Sequence, residues 1–139
     1  MTMQRPIDPH TALIFTMVLI SAAEGEMTDA ELDMIGRQVR YLPVFRDFDH
    51  QRLTEVGRDC ADLLRHDDGL DVATDMIAEA LPQPLRETAY AIACDVAAAD
   101  GTLAEAELEV LALLRRRLNV DRLVAAAIER AAYARHTIL

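Results

Sequence analysis

The sequence SAAEGEMTDAELDMI at residues 21–35 returns as AAADGTLAEAELEVL at residues 97–111, 76 positions later and without an insertion. Each copy joins a segment of small residues, an acidic residue followed by glycine, and the start of an amphipathic segment. A second glutamate follows the first acidic residue by seven positions in both copies. The matching residues are Glu24, Gly25 and Glu31 in the first copy and Asp100, Gly101 and Glu107 in the second. The chain is therefore internally duplicated, and each copy predicts a helix, a corner and a second helix.

Composition predicts an all-α protein with a single domain. The chain has 139 residues, of which 52% are hydrophobic and 4% aromatic, so the expected core is aliphatic and rich in alanine. A chain of this length is large enough to bury a core without disulfides or a structural metal. We assign residues 1–139 to one helical domain, with repeat units at about residues 9–42 and 84–118.

Capping residues and prolines divide the chain into about seven helices. Asp8 followed by Pro9 begins the first helix, which is apolar nearly all round and should be central. Thr28 and Glu31 form a capping-box pattern that begins the second helix, and Pro43 ends it. The later helices are predicted to begin at Asp47 or Asp49, at Val72, at Pro84, near Ala104 and after Asp121.

Helical periodicity predicts how these helices pack. The Asp-Asp-Gly segment at residues 67–69 is interpreted as a break, so the fourth helix covers residues 72–81. Leucines at positions 108, 111, 114 and 118 of the sixth helix recur at helical spacing and predict a buried stripe. Each duplicated hairpin alone would leave its apolar helix uncovered. We therefore expect the two hairpins to pack against each other about a pseudo-twofold axis.

The charge of the chain argues against nucleic acid as a partner. The formal net charge is −10, from 24 acidic and 14 basic residues, and every basic residue is arginine. Phosphate binding needs a basic face, and the basic cluster at residues 115–117 is explained by the negative C-terminal end of its helix. Residues 47–79, the acidic flank, carry ten acidic residues against three arginines. Such a surface attracts cations or a basic protein partner.

Cysteines and apolar segments indicate a cytoplasmic protein. Cys60 and Cys94 lie among apolar helical positions and match neither a disulfide framework nor a zinc motif, as expected in a reducing compartment. The apolar stretch at residues 12–23 is too short to span a bilayer. Its recurrence in mid-chain favours a place in the fold over a secretion signal. We expect no transmembrane segment.

The acidic corners have the spacing of the second half of an EF-hand calcium loop. Asp100, Gly101, Leu103 and Glu107 match that loop's Asp, Gly, apolar residue and bidentate Glu. Hydrocarbon side chains stand where the earlier ligands would be, so a complete oxygen shell needs two corners facing one another, or water. The carboxylates predicted to bind one or two divalent cations are Glu24, Glu31, Asp100 and Glu107. Their all-oxygen character favours Mg, Ca or Mn over Zn.

The same residues have a structural alternative. In a capping box with Thr28, the Glu31 carboxylate does nothing but bond the backbone. The second copy has Ala104 in the place of Thr28, without a hydroxyl to complete the box, and yet Glu107 is present. Gly25 and Gly101 are interpreted as C-cap glycines in a left-handed conformation.

No arrangement of nucleophile, base and orienting group accompanies the corners, so the chain is not predicted to be an enzyme. None of the four histidines follows a glutamate by three positions, unlike the Glu-x-x-His signature of di-iron bundles. We expect the histidines to be exposed or locally bonded. Asp95 lies on an otherwise apolar helix and is interpreted as exposed, with support of a metal ligand as its alternative.

The second corner, AAADGTLAEAEL at residues 97–108, resembles the TerB family of tellurite-resistance protein B-like domains. The resemblance covers most of the chain and rests on the two corners and their flanking helices. The first corner departs from the family pattern, because Glu24 replaces the expected Asp and Glu26 adds an acid. The resemblance implies a bacterial cytoplasmic helical bundle whose paired acidic residues hold a divalent cation. It also implies protein partners in a stress-response assembly at the inner membrane surface.

Three functions follow from these observations. The first is a non-enzymatic metal-binding module with the role in tellurite resistance or stress response that the resemblance implies. The second is a metal-free interaction module whose acidic flank meets a basic protein. The third is a metal-dependent hydrolase, in which the cation would activate water.

Overall fold

The computed structural model describes residues 6–23, 25, 27–99, 101 and 104–139. These residues form seven α-helices and two short 3₁₀ turns, with no strand in the described ranges, and they confirm the all-α prediction. The helices are α1 Pro9–Ala22, α2 Asp29–Tyr41, α3 Leu53–Leu64, α4 Gly69–Ala80, α5 Gln83–Ala98, α6 Glu105–Arg117 and α7 Arg122–Arg135, with 3₁₀ turns at Pro43–Phe45 and His50–Arg52. No helix in the described ranges is both long and apolar enough to cross a membrane.

Helix α1 occupies the centre of the bundle. The Asp8 carboxylate accepts a hydrogen bond from Thr11 N at 2.8 Å and caps the helix, while Pro9 needs no backbone partner in its first turn. Every residue from 11 to 21 is buried. The helix contacts α2 to α6, and its apolar composition all round is what a fully surrounded helix requires.

The two hairpins, α1–α2 and α5–α6, pack through their apolar first helices. Helices α1 and α5 form the most extensive pairing among the described residues, α2 packs on α5, and α6 packs on α1. Helices α2 and α6, Asp29–Tyr41 and Glu105–Arg117, begin and end at the same 76-residue offset as the sequence repeat. A twofold relation between the hairpins would produce these exchanged pairings.

Helix α4 begins three residues earlier than predicted. Gly69, interpreted from the sequence as part of a break, is its first residue and is buried. A Cβ atom on Gly69 would lie 2.2 Å from the carbonyl oxygen of Leu63 and 2.9 Å from Leu64 Cα. The glycine is therefore required by the close approach of α4 to the end of α3, which a sequence pattern does not show.

Helix α6 also departs from its predicted stripe. Leu111, Leu114 and Leu118 are buried, whereas Leu108 is 48% exposed. Its counterpart in the repeat, Leu32, is exposed to the same degree. The prediction that Leu108 belongs to the buried stripe is therefore wrong, because no helix among the described residues covers its side chain.

Candidate functional site

The first corner begins where α1 ends at Ala22. Ala23 N donates to Ile20 O at 3.2 Å and Gly25 N donates to Ala22 O at 3.0 Å, so the chain turns within three residues of the helix end. Gly25 has φ +105°. A residue with a side chain is strained in this left-handed region, which explains the glycine.

The second corner repeats this geometry 76 residues later. Ala99 N donates to Val96 O at 3.2 Å, Gly101 N donates to Ala98 O at 3.1 Å, and Gly101 has φ +81°. The prediction of left-handed glycines is confirmed in both copies, although each glycine lies two residues beyond the C-cap residue rather than at it. The sequence repeat is thus matched by a repeat of backbone conformation.

Glu31 is held at the first corner by a complete capping box. Its Oε1 accepts a hydrogen bond from Thr28 N at 2.9 Å, and Glu31 N donates to Thr28 Oγ1 at 3.1 Å. The glutamate is 4% exposed. The predicted capping role is confirmed, and the carboxylate is folded back from α2 to the end of the corner.

Glu107 makes half of the same arrangement at the second corner. Its Oε1 accepts a hydrogen bond from Ala104 N at 3.2 Å, whereas Ala104 has no hydroxyl to accept from Glu107 N. The glutamate is 1% exposed. Both glutamates therefore serve as helix caps, and in both the carboxylate points back to the corner that precedes its helix.

The capping bond does not use up the Glu31 carboxylate. An ionised carboxylate has two oxygens with about four lone-pair sites, and the bond from the N-cap N–H takes one of them. Glu31 forms no ion pair with any basic side chain in the described ranges. Burial of a charge is costly without a compensating partner. The residues present thus suit a hard cation, for which carboxylate oxygens are the preferred ligands.

Glu24 and Asp100, the other two predicted ligands, lie outside the described residues. Within the described ranges, no group of three or more His, Cys, Asp or Glu side chains is arranged to hold a metal ion. The convergence of Glu24, Glu31, Asp100 and Glu107 on one cation therefore stays a prediction.

Asp95 forms polar contacts with three side chains from other parts of the chain. Its side chain is 14% exposed and accepts hydrogen bonds from Gln38 Nε2 at 3.1 Å and Arg135 at 2.7 Å. His136 Nε2 lies 3.3 Å from the same carboxylate. Asp95 thus joins α5 to α2 and to the end of α7, and the expectation of an exposed side chain is wrong.

The expectation of exposed or locally bonded histidines is wrong for two of the four. His136 reaches Asp95 across 41 residues, and His10 Nε2 lies 2.7 Å from Val44 O across 34 residues. The ring of His10 also stacks on Phe45. An acid within an apolar helix and a histidine beside a helix cap are weak signals of such long-range bonds, because the partners come from other segments.

The thiols of Cys60 and Cys94 are free and buried, as predicted. Burial raises the pKa of each thiol to about 12. A thiol with this pKa carries almost no thiolate at neutral pH and is a poor nucleophile.

The acidic flank at residues 47–79 is a solvent-facing surface. All ten of its acidic residues are exposed. Two of them, Asp71 and Asp75, form ion pairs with Arg117 at the end of α6. Arg117 therefore joins α6 to α4 in addition to complementing the end of its own helix.

Comparison with known protein families identifies a match over most of the chain. The family model described as tellurite resistance protein TerB matches residues 10–130, which includes both corners and all seven helices in whole or in part. No curated protein and no solved structure gives a significant match.

Proposed function

Because the chain belongs to the family of tellurite resistance protein TerB, we propose that it is a non-enzymatic module that binds a hard divalent cation at its two acidic corners. The proposed ligands are Glu24 and Glu31 from the first corner and Asp100 and Glu107 from the second. The cation, Mg, Ca or Mn, stabilises the packing of the two hairpins when it is bound. The hydrolase alternative has no contact among the described residues in its favour.

The observation that carries the proposal is the matched placement of Glu31 and Glu107. Both are almost fully buried, and each carboxylate is bonded to the N-cap N–H at the end of a corner. The bond fixes the direction of a side chain that would otherwise have several free rotamers. A carboxylate fixed in place loses less conformational entropy when it binds a cation.

Helix direction also supports a cation at the corners. The C-terminal ends of α1 and α5 lead into the corners, and the negative end of a helix dipole favours a cation by roughly 0.3–1 kcal/mol. Glu24 and Asp100 follow these ends in the sequence, where an acid without compensation is disfavoured. A bound cation compensates both the acid and the buried carboxylate of the following helix.

Glutamine substitutions separate coordination from capping. Glu107→Gln keeps an amide oxygen that can accept from Ala104 N, since Gln serves in capping boxes as Glu does, but it removes the charge that a hard cation needs. Without metal, we expect the free energy of unfolding of Glu107→Gln to lie within about 0.5 kcal/mol of that of the parent. We also expect it to lose most of the stabilisation that the parent gains as the cation concentration rises. Glu31→Gln should behave in the same way.

Glu109→Gln is the matched control, because Glu109 is exposed on the same helix and has no part in the cap. It should keep the full response to the cation. The measurement is thermal unfolding of chelator-treated protein with Mg, Ca, Mn or Zn added, together with calorimetric titration. Absence of heat and of a melting shift with every ion would refute the proposal, as would an unchanged response in Glu107→Gln.

The exposure of the acidic flank favours a second function, the docking of a basic protein partner. Asp71 and Asp75 pair with Arg117, and Asp62 pairs with Arg65. The other seven of its ten acidic residues form no ion pair with a described residue, and all of them face solvent. Such a surface accelerates association with a basic partner in a manner that salt weakens. We infer that the module works in a cytoplasmic stress-response assembly at the inner membrane surface and meets its protein partners through this flank. A pull-down from a bacterial lysate at low and high salt tests this role.

A further inference from the structure

A groove of about 600 Å³ lies between α6 and α7, above α5. Both outer helices pack on α5, and their side chains form the two walls. The floor is apolar and is made by the buried residues Cys94, Ala98, Leu111 and Ala132. The volume lies within the range of small-molecule sites in proteins, about 300–1,000 Å³.

The edges of the groove expose apolar side chains to solvent. Leu108 on α6 and Tyr133 on α7 both line it and are 48% and 62% exposed. A ligand that buries these side chains removes apolar surface from water, which favours binding. The edge of the groove therefore suits a ligand with a hydrocarbon or aromatic body.

The polar groups of the groove are mainly cationic. Tyr90 Oη donates a hydrogen bond to Glu129 at 2.5 Å, so the one acidic side chain of the described lining is already engaged. Burial and this bond raise the pKa of the Tyr90 hydroxyl, which stays a neutral donor. Arg115 and Arg130 line the same groove, and neither forms an ion pair with another described residue.

We propose that this groove binds a small single-chain amphiphile with an anionic head, such as a medium-chain carboxylate. The hydrocarbon chain lies on the apolar floor, and the carboxylate pairs with Arg115 and Arg130. Charge complementarity decides the sign of the head group. The chain has a net charge of −10, but in the described lining the two arginines outnumber the single carboxylate of Glu129, and neither arginine forms an ion pair with a described residue. The groove therefore attracts an anion locally. The site is separate from the acidic corners and does not depend on a cation there.

Decanoate and decyltrimethylammonium, both below their micelle-forming concentrations, are the probes. They share a ten-carbon chain and differ in the sign of the head group. Calorimetric titration should show decanoate binding at least about ten-fold more tightly, the contribution of one charge-assisted contact. Arg115→Gln should weaken decanoate binding by about ten-fold, whereas Arg116→Gln, an exposed neighbour outside the groove, should not.

A steric variant tests the location. Ala126 is exposed on the α7 wall, so Ala126→Trp should fill the groove and abolish decanoate binding without disturbing the core. Ala127→Trp, the next exposed position and outside the groove, should bind as the parent does. Circular dichroism checks that each variant is folded. If Ala126→Trp does not fold, the effect of Arg115→Gln alone decides whether decanoate binds in the groove.

Three results would overturn the proposal. The first is no heat with decanoate, and the second is equal binding of the anionic and cationic probes. The third is parent-like binding in both Ala126→Trp and Arg115→Gln. None of them bears on the cation proposal, because the probes contain no divalent ion and the corner residues are unchanged.

Discussion

A reciprocal pair of substitutions at the two N-caps tests whether the corners are equivalent. Thr28 and Ala104 occupy the same position of the repeat and have nearly the same backbone, with φ −79° and ψ 160° at Thr28 and φ −75° and ψ 154° at Ala104. Thr28 Oγ1 accepts from Glu31 N at 3.1 Å. Because the backbones match, a hydroxyl at position 104 should reach Glu107 N in the same way.

The magnitudes follow from the loss or gain of one capping bond. Thr28→Ala removes the bond and should destabilise the protein by about 1 kcal/mol, within the usual 0.5–2 kcal/mol for a cap. Ala104→Ser supplies the missing acceptor and should stabilise the protein by about 0.5–1 kcal/mol. The double substitution should lie close to the parent, because the two caps share no hydrogen-bond partner.

Urea unfolding followed by far-ultraviolet circular dichroism gives the free energies. Ala106→Ser is the control, since it places the same hydroxyl inside α6, where serine is slightly unfavourable for a helix. Its effect should have the opposite sign to that of Ala104→Ser. If Ala104→Ser is no more stable than the parent while Thr28→Ala is destabilised, the corners are not equivalent and the reasoning from their shared geometry fails.

Three further substitutions test contacts elsewhere in the bundle. Gly69→Ala should destabilise the protein by about 1–3 kcal/mol, because its Cβ would overlap Leu63 O. Gly57→Ala has open space around its Cβ and should instead stabilise the protein by about 0.5–1 kcal/mol. Both values are measured by the same urea unfolding experiment. Asp8→Ala should cost about 1 kcal/mol at neutral pH. Burial opposes the Asp8 charge, but the hydrogen bonds from Thr11 together with the nearby Arg52 and His10 outweigh it and lower the pKa of Asp8 below 3.8. The stability difference should therefore shrink as the pH falls through the folded-state pKa and the parent loses its carboxylate. A difference that stays constant down to acid unfolding would contradict this. Asp95→Ala should destabilise the protein by about 2 kcal/mol, because it removes the carboxylate that accepts from Arg135. Amide hydrogen exchange in the last turn of α7 should also become faster. Unchanged exchange there would show that the contact with Arg135 does not hold the end of α7.

The acidic corners show how far local sequence reasoning reaches. The capping of α2 by Thr28 and Glu31 and the positive φ of Gly101 were predicted from spacing, and both are confirmed. These features depend on atoms within about four residues of one another, so sequence order nearly fixes their geometry. The convergence of the four carboxylates depends on how the two hairpins meet, and it remains to be measured.

The sequence by itself determined that the chain is all-helical, where most helices begin and end, and that its two hairpins are related by a repeat. Only the tertiary structure decided that Gly69 begins a helix against α3, that Asp95 is enclosed by α2 and α7, and that Leu108 borders a groove. The reason is physical. Caps and turns are satisfied by neighbours in the chain, whereas burial, close approach and grooves are set by atoms that packing brings from distant segments.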